Sequence, residues 1–566
     1  MFDLPPGWPM YLGGWLLPLL GRRASIGALV LAVVSLLAFL FADPTATRTT
    51  ALGVDLIPVA VDGLSWPFIL VFHIAAVVSA IYALHVDDAV QHAAGIVYAG
   101  SAIAAAACGD LITLFVFWEL TAVSSVWLIW RRGGDAPFRA GMRYLVIQVL
   151  SGVLLLSGAV VQYATSGSVA FTGFVNDTGH IVGYAGWLVL GALAIKAAFP
   201  LLHNWLQDAY PQATATGTVF LSAFTTKLAI YALARGFAGF EPLITIGCVM
   251  TLFPILFAVI ENDLRRVLAY SLNNQLGFMV VGVGIGTELA LNGTVAHAFC
   301  HILYKALLFM AMGAVLHRVG TTKATELGGL WRSMPWTTTF CIIGAGAISG
   351  FPLLSGFVSK SMIVTAAAEE HLLWVWIVLL IASAGVMEHS GIKIPFFAFF
   401  SHDSGKRPAE APLNMRIAMG IAAAFCVGLG VAYPLLYGIL PFDADYHPFT
   451  VPHVVNMLQL LLFAALAFVV LQRTGLYPAE IDATNLDTDV VYRRWLPRGL
   501  AGLGVAVRTV DRSIRHDAGE VLGEGFRGFA ETLGPRGVLG RTWSSSTMTF
   551  WAIALLALCL GLYYAG

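Results

Sequence analysis

Ile195-Lys196-Ala197-Ala198-Phe199-Pro200 is the stretch on which the reading of this chain turns. Lys196 is the only charge between Ile181 and Leu206, and a proline follows it one helical turn later. A run of that length is what an α-helix needs to cross a bilayer core of about 30 Å, for which about 20 apolar residues suffice. A charge inside such a helix costs about 3 kcal/mol on the mildest scale. Proline removes a backbone donor and blocks the carbonyl one turn back. The stretch therefore predicts a membrane helix that is interrupted beside a functional lysine.

A second stretch has the same ingredients in the opposite order. Gly350-Phe-Pro352-Leu-Leu-Ser-Gly356-Phe precedes Lys360, the only charge between Thr337 and Ala368. The whole chain fits this setting. It has 566 residues, 58% hydrophobic and 11% charged, with a mean hydropathy of +0.81. Soluble domains carry about 25% charged residues, so a water-soluble enzyme, a nucleic-acid binder and a disordered chain are excluded. The six cysteines are scattered, without CxxC or Cys/His spacing, and no glycine-rich phosphate loop is present. No cofactor or metal is expected. Met1 to Met10 carries no basic residue ahead of its apolar stretch, so it reads as retained rather than cleaved.

The expected fold is an all-α polytopic membrane protein with about 16 transmembrane helices. They start near Pro9, Ile26, Ser65, Gln91, Leu111, Gly141, Ile181, Pro211, Pro242, Val267, Leu289, Thr337, Leu372, Met415, Val451 and Thr547. With the N-terminus outside, Arg22, Arg23, Arg131, Arg132, Arg265, Arg266, Arg318 and Arg407 all fall in cytoplasmic loops, and only Arg48 and Arg235 fall outside. Basic residues are retained on the cytoplasmic side during insertion, so this asymmetry supports the orientation. Lys196 and Lys360 then lie on antiparallel helices. That predicts two inverted repeats of about five helices, with broken helices at mid-membrane. The expected organisation is N-terminal helices 1–90, repeats 91–240 and 241–402, C-terminal helices 403–472, a cytoplasmic amphipathic segment 473–545 and a final helix 546–566. The amphipathic segment has nine arginines against five acids between Arg493 and Arg541. It fits a helix on the membrane surface in contact with lipid, or a plain linker. Its many glycines argue against one continuous rod.

The candidate functional residues are the ionisable groups inside the spans. Besides Lys196 and Lys360 these are Glu119, Lys227, Lys305 with His297 and His301 before it, and Lys393 after Glu388 and His389. Single residues of this kind are often packing or interfacial groups, and a lone histidine is usually a satisfied core residue. Six well-buried charges are harder to dismiss. His297, His301 and Lys305 follow at i, i+4 and i+8, one helix face. Because histidine titrates near neutrality, the row reads best as a proton relay. Metal ligation by the two histidines would lack an acidic or cysteine partner, and the lysine would repel the ion.

Together these residues match a known family. The match covers about Ser65 to Phe400 and includes Phe117-Trp-Glu119-Leu, Lys196-Ala-Ala-Phe-Pro200-Leu-Leu-His203-Asn-Trp205, Thr226-Lys227, Tyr270-Ser-Leu-Asn-Asn-Gln275-Leu-Gly277, His297-Ala-Phe-Cys-His301-Ile-Leu-Tyr-Lys305 and Gly350-Phe-Pro352 through Lys360. The sequence resembles the antiporter-like proton-translocating subunits shared by respiratory complex I and Mrp-type Na⁺/H⁺ antiporters, the Mrp D subunit above all. The resemblance implies that Glu119 pairs with Lys196 and that protons pass along Lys227, His301 and Lys305 to Lys360. It also implies a heteromeric antiporter complex moving H⁺ and Na⁺ across a bacterial inner membrane, as a transporter rather than an enzyme. Two rivals stand beside it. One is a proton-pumping subunit of a complex-I-like redox enzyme or an inorganic-carbon uptake complex. The other is a scaffold that no longer transports, for which the lysines would be dispensable.

Overall fold

The computed structural model describes residues 4–41, 46–51, 53–483, 485–537 and 540–565. Twelve helical segments among them are long and apolar enough to cross a membrane. The first, Trp8–Phe41, takes two of the expected starts, Pro9 and Ile26. It is divided at Gly21, whose φ of 52° is not helical. Three further expected spans fall on helices outside that set, for identifiable reasons. Gly183–Lys196 stops at its break after 14 residues. Leu264–Ile285 is lowered in hydropathy by Asn273, Asn274 and Gln275, all buried. The third is divided into Pro335–Ser349 and Ser355–Glu369. Every expected start thus lies on or beside a helix. The only sheet among the described residues is a two-stranded antiparallel hairpin, Thr47–Ala51 with Val54–Val59.

The chain forms two compact units, Met1–Asn485 and Leu486–Gly566. In the first, the 32-residue helix Glu288–Val319 is nearly enclosed and carries His297, His301 and Lys305 at its centre. Helices Pro242–Ile260 and Leu264–Ile285 touch backbone to backbone. A Cβ at Gly277 would come within 2.7 Å of the Gly247 carbonyl oxygen, and the reverse is equally true. Only glycine allows that approach. Asp110 anchors the start of helix Leu111–Trp130 by accepting from the Thr113 amide at 2.7 Å and the Ile57 amide at 2.8 Å. This N-cap ties the helix that bears Glu119 to the hairpin.

The second unit contains helix Leu496–Leu533, 38 residues without interruption, and helix Ser545–Ala565. The glycines predicted a broken rod, and the structure corrects this. They are spread along the helix, each costing about 1 kcal/mol relative to alanine, and i,i+4 contacts such as Asp511–Arg515 at 2.9 Å support the turns between them. The polar stretch beginning near Arg473 is itself divided. Residues 475–485 stay with the first unit, with Tyr477 buried.

Candidate functional site

Both proline-marked helices are interrupted. Between Lys196 and Asn204 the backbone enters the left-handed region at Ala198 (φ 59°) and Leu201 (φ 71°). Between Ser349 and Ser355 it does so at Gly350 (φ 81°) and Leu353 (φ 71°). Left-handed alanine and leucine are strained conformations that persist only where surrounding structure enforces them. Broken helices free backbone carbonyls inside a membrane, and each needs a donor. Trp205 Nε1 donates to the Ile195 carbonyl at 2.9 Å. At the second break Lys360 Nζ donates to the Ile348 carbonyl at 3.0 Å.

Two further irregularities escaped the sequence. Helices Gly217–Ala223 and Thr225–Phe237 meet at a kink at Phe224, and Lys227 Nζ donates to the Ser222 carbonyl at 2.5 Å. The turn Met387–Ile392 is widened to a π-helix just ahead of Lys393. Lys393 Nζ donates to the carbonyls of Ala258 (3.1 Å), Val259 (2.6 Å) and Glu261 (2.8 Å). These oxygens end helix Pro242–Ile260, where the helix dipole is negative and favours a cation.

Lys196, Lys227, Lys305, Lys360, Lys393, His297 and His301 are all fully buried. The ammonium of Lys196 lies 4.1 Å from the centre of the Trp118 ring, a cation–π contact. It donates to the Trp118 carbonyl at 2.7 Å and to Thr121 Oγ1 at 2.9 Å. Glu119 is half-buried, and its charge reaches Lys196, but the two form no contact within ion-pair distance. The pair that the resemblance implied is coupled through space in the structure. Glu119 Oε1 has no hydrogen-bond partner among the described residues. It occupies the space left by Gly152, where a Cβ would overlap it.

From Lys227 onward the charges form a connected group. Lys227 lies within electrostatic reach of His297, His301 and Lys305. His297 Nδ1 is 3.2 Å from Ser359 Oγ, beside Lys360. Tyr304 Oη donates to Gln275 Oε1 at 3.2 Å. His389 senses Lys305, Lys360 and Lys393; its Nδ1 is 2.9 Å from Ser390 Oγ, which in turn donates to Ser271 Oγ at 2.6 Å. Lys305 Nζ and both ring nitrogens of His301 have no hydrogen-bond partner among the described residues. Polar groups buried in that way require hydration, which is also what a proton relay runs on. Gln275, Tyr304, Ser359 and His389 complete the row. The run of amides in the middle of Leu264–Ile285 was the available signal for the first. His297 and His301 face serine, tyrosine and lysine, and no group of three or more His, Cys, Asp or Glu side chains suited to a metal occurs among the described residues.

Residues 108–385 match the family described as NADH:quinone oxidoreductase/Mrp antiporter, TM. The chain is 32% identical over 325 residues to the D subunit of the Na(+)/H(+) antiporter of Alkalihalophilus pseudofirmus, covering 55% of this chain and 65% of that relative. It is 31% identical over 397 residues to the A/B subunit of a probable K(+)/H(+) antiporter of Rhizobium meliloti, covering 65% of this chain but only 40% of that protein. The chain therefore spans less than two thirds of either relative. A chain in the solved structure of the Mrp complex from Dietzia sp. shares the fold, with a TM-score of 0.76 at 24% identity, covering 89% of this chain and 60% of that one. Glu119, the broken helices and all five buried lysines except Lys393 lie inside the matched segment. Over residues 108–385 this polytopic membrane chain is similar to the NADH:quinone oxidoreductase/Mrp antiporter transmembrane family, and it resembles the D and A subunits of Na(+)/H(+) antiporters.

Proposed function

We propose that this chain is the proton-translocating subunit of a multisubunit monovalent cation/H⁺ antiporter. The observation that carries the reading is the row of buried lysines and histidines from Lys196 and Lys227 through His297, His301 and Lys305 to Lys360 and Lys393, with Lys196, Lys227, Lys360 and Lys393 beside helix irregularities. A neighbouring carboxylate stabilises a buried ammonium. Displacing or neutralising Glu119 would therefore release a proton from Lys196, and the relay would carry it along the row. Inverted repeats over 91–240 and 241–402 are part of this reading, supported by paired interruptions at Lys196 and Lys360 and again near Lys227 and Lys393. The N-terminus lies outside a bacterial inner membrane and residues 473–545 on the cytoplasmic side, as the basic loops favour. Na⁺ is the proposed coupling ion; the relatives carry both Na⁺ and K⁺ in their names.

The test is Lys360. Arginine keeps its proton at any working pH. Lys360→Ala and Lys360→Arg should both abolish Na⁺/H⁺ or K⁺/H⁺ exchange in everted vesicles while the complex still assembles. Full exchange in Lys360→Arg would remove this residue from the path. The second reading, a subunit of a complex-I-like redox enzyme, is favoured by the family's inclusion of NADH:quinone oxidoreductases. Mass spectrometry of the purified complex separates the two by the partner subunits it finds.

A further inference from the structure

The chain leaving helix Val451–Thr474 does not run free. Residues 475–483 and 485 form a strap that is pinned within the first unit at four places. Tyr477 Oη donates to Glu388 Oε1 at 2.6 Å. Glu480 Oε1 lies 2.8 Å from Lys393 Nζ, with the lysine side chain fully enclosed and that of Glu480 only 8% exposed. Lys323 Nζ donates to Asp482 Oδ2 at 2.8 Å. Asn485 Nδ2 donates to Glu261 Oε2 at 3.2 Å.

The charge count at this site does not balance. Three carboxylates act on Lys393: Glu480 from the strap, Glu388 from the π-turn and Glu261 from the end of helix Pro242–Ile260. The other groups facing it are Arg266, 3.6 Å from Glu261 Oε2, the hydroxyl of Tyr477, and His389, whose Nε2 is buried without a partner among the described residues. Lys393 and Arg266 thus face three acids. Like charges brought together in a water-poor site raise one another's affinity for a proton. A mere anchor for the strap would need a single carboxylate.

We propose that Glu480 is the acceptor that takes protons from Lys393, so that the strap ends the relay in an acidic site. The inference rests on the function proposed above and names the last residues of that path. In the step, the N–H bond of the Lys393 ammonium breaks as an O–H bond forms on Glu480, leaving a neutral amine and a carboxylic acid. The acid then gives its proton to water, and the amine is recharged from the next ammonium of the row. The reverse sequence serves the opposite direction of transport.

The experiment measures cation-driven H⁺ movement in everted vesicles containing the whole complex, across a pH series and normalised to the amount of assembled complex. The variants are Glu480→Gln, Glu480→Asp and Lys393→Ala, with Lys360→Ala alongside. Glu480→Gln should lower exchange about fivefold, and Glu480→Asp should retain most of it with a displaced pH profile. An unchanged pH profile in both Glu480 variants would reduce the strap to an anchor and overturn the proposal. If Glu480→Gln fails to assemble, the aspartate variant decides: a displaced profile supports the relay end, and an unmoved one overturns it. Full exchange in Lys360→Ala would instead defeat the proposed function itself, which keeps the two failures apart.

Discussion

Lys196 and Lys393 are both buried lysines beside a break in their helix, and each has a glutamate for company, but the two pairs are built differently. The Lys196 ammonium is held by a carbonyl, a hydroxyl and an indole ring, and Glu119 acts on it only through space. At the other end Glu480 touches Lys393 directly at 2.8 Å. The first arrangement can be altered from outside, because Glu119 is only half-buried on its helix, within electrostatic reach of a charge on a neighbouring chain. The second is closed by the chain's own strap. A loose pair suits the point where a signal is received, and a tight one suits the point where a proton is handed on.

The strongest way to break this comparison is at Glu119. Glu119→Gln removes the carboxylate that acts on Lys196 and should lower exchange at least about tenfold, equivalent to one pKa unit of lost stabilisation, with normal assembly. Unchanged exchange, read by pH-gradient dequenching, would mean that Lys196 is held by its carbonyl and ring alone. Gly152→Ala sharpens the same point without touching a charge. The added methyl falls where the Glu119 carboxylate lies, so the side chain must swing away and exchange should drop about threefold, a strain effect typical of small-to-large changes. A Gly152→Ala complex as active as the parent would show that the position of Glu119 is unimportant. The mildest change is Asp482→Asn at the exposed edge of the strap. Its bond to Lys323 is open to solvent, so exchange should stay within about twofold of the parent. A loss equal to that of Glu480→Gln would make strap docking, rather than proton acceptance, the property that matters.

The sequence announced the features that have a local chemical cause. Pro200 and Pro352 break their helices because proline cannot complete the backbone ladder, and this could be read without coordinates. The lone charges could be listed from the sequence, since each stands alone in an apolar span, and the structure buries the five lysines among them. The kink at Phe224 and the π-turn at Met387–Ile392 carry no proline and so left no such sign. The partner of Lys393 lay hidden for a different reason. Glu480 belongs to a stretch whose polarity resembles that of a linker, and only the folding back of residues 475–485 brings it to the lysine. The separation of Glu119 from Lys196 was not legible either, because a shared region of two helices does not fix which side-chain atoms meet.

Helices Pro242–Ile260 and Leu264–Ile285 cross at Gly247 and Gly277 with their backbones in contact. Two rods clamped at such a crossing have no side-chain cushion to compress, so they respond to force as one beam. The three carbonyls that hold Lys393 hang from the end of that beam, and Glu261 sits in the bend that joins its two arms. The beam is thus the fixed jaw of a vice whose other jaw is the strap. Any motion that loosens Lys393 has to come from the strap side, and a side chain at position 247 or 277 would spoil the grip from well over a helical turn away.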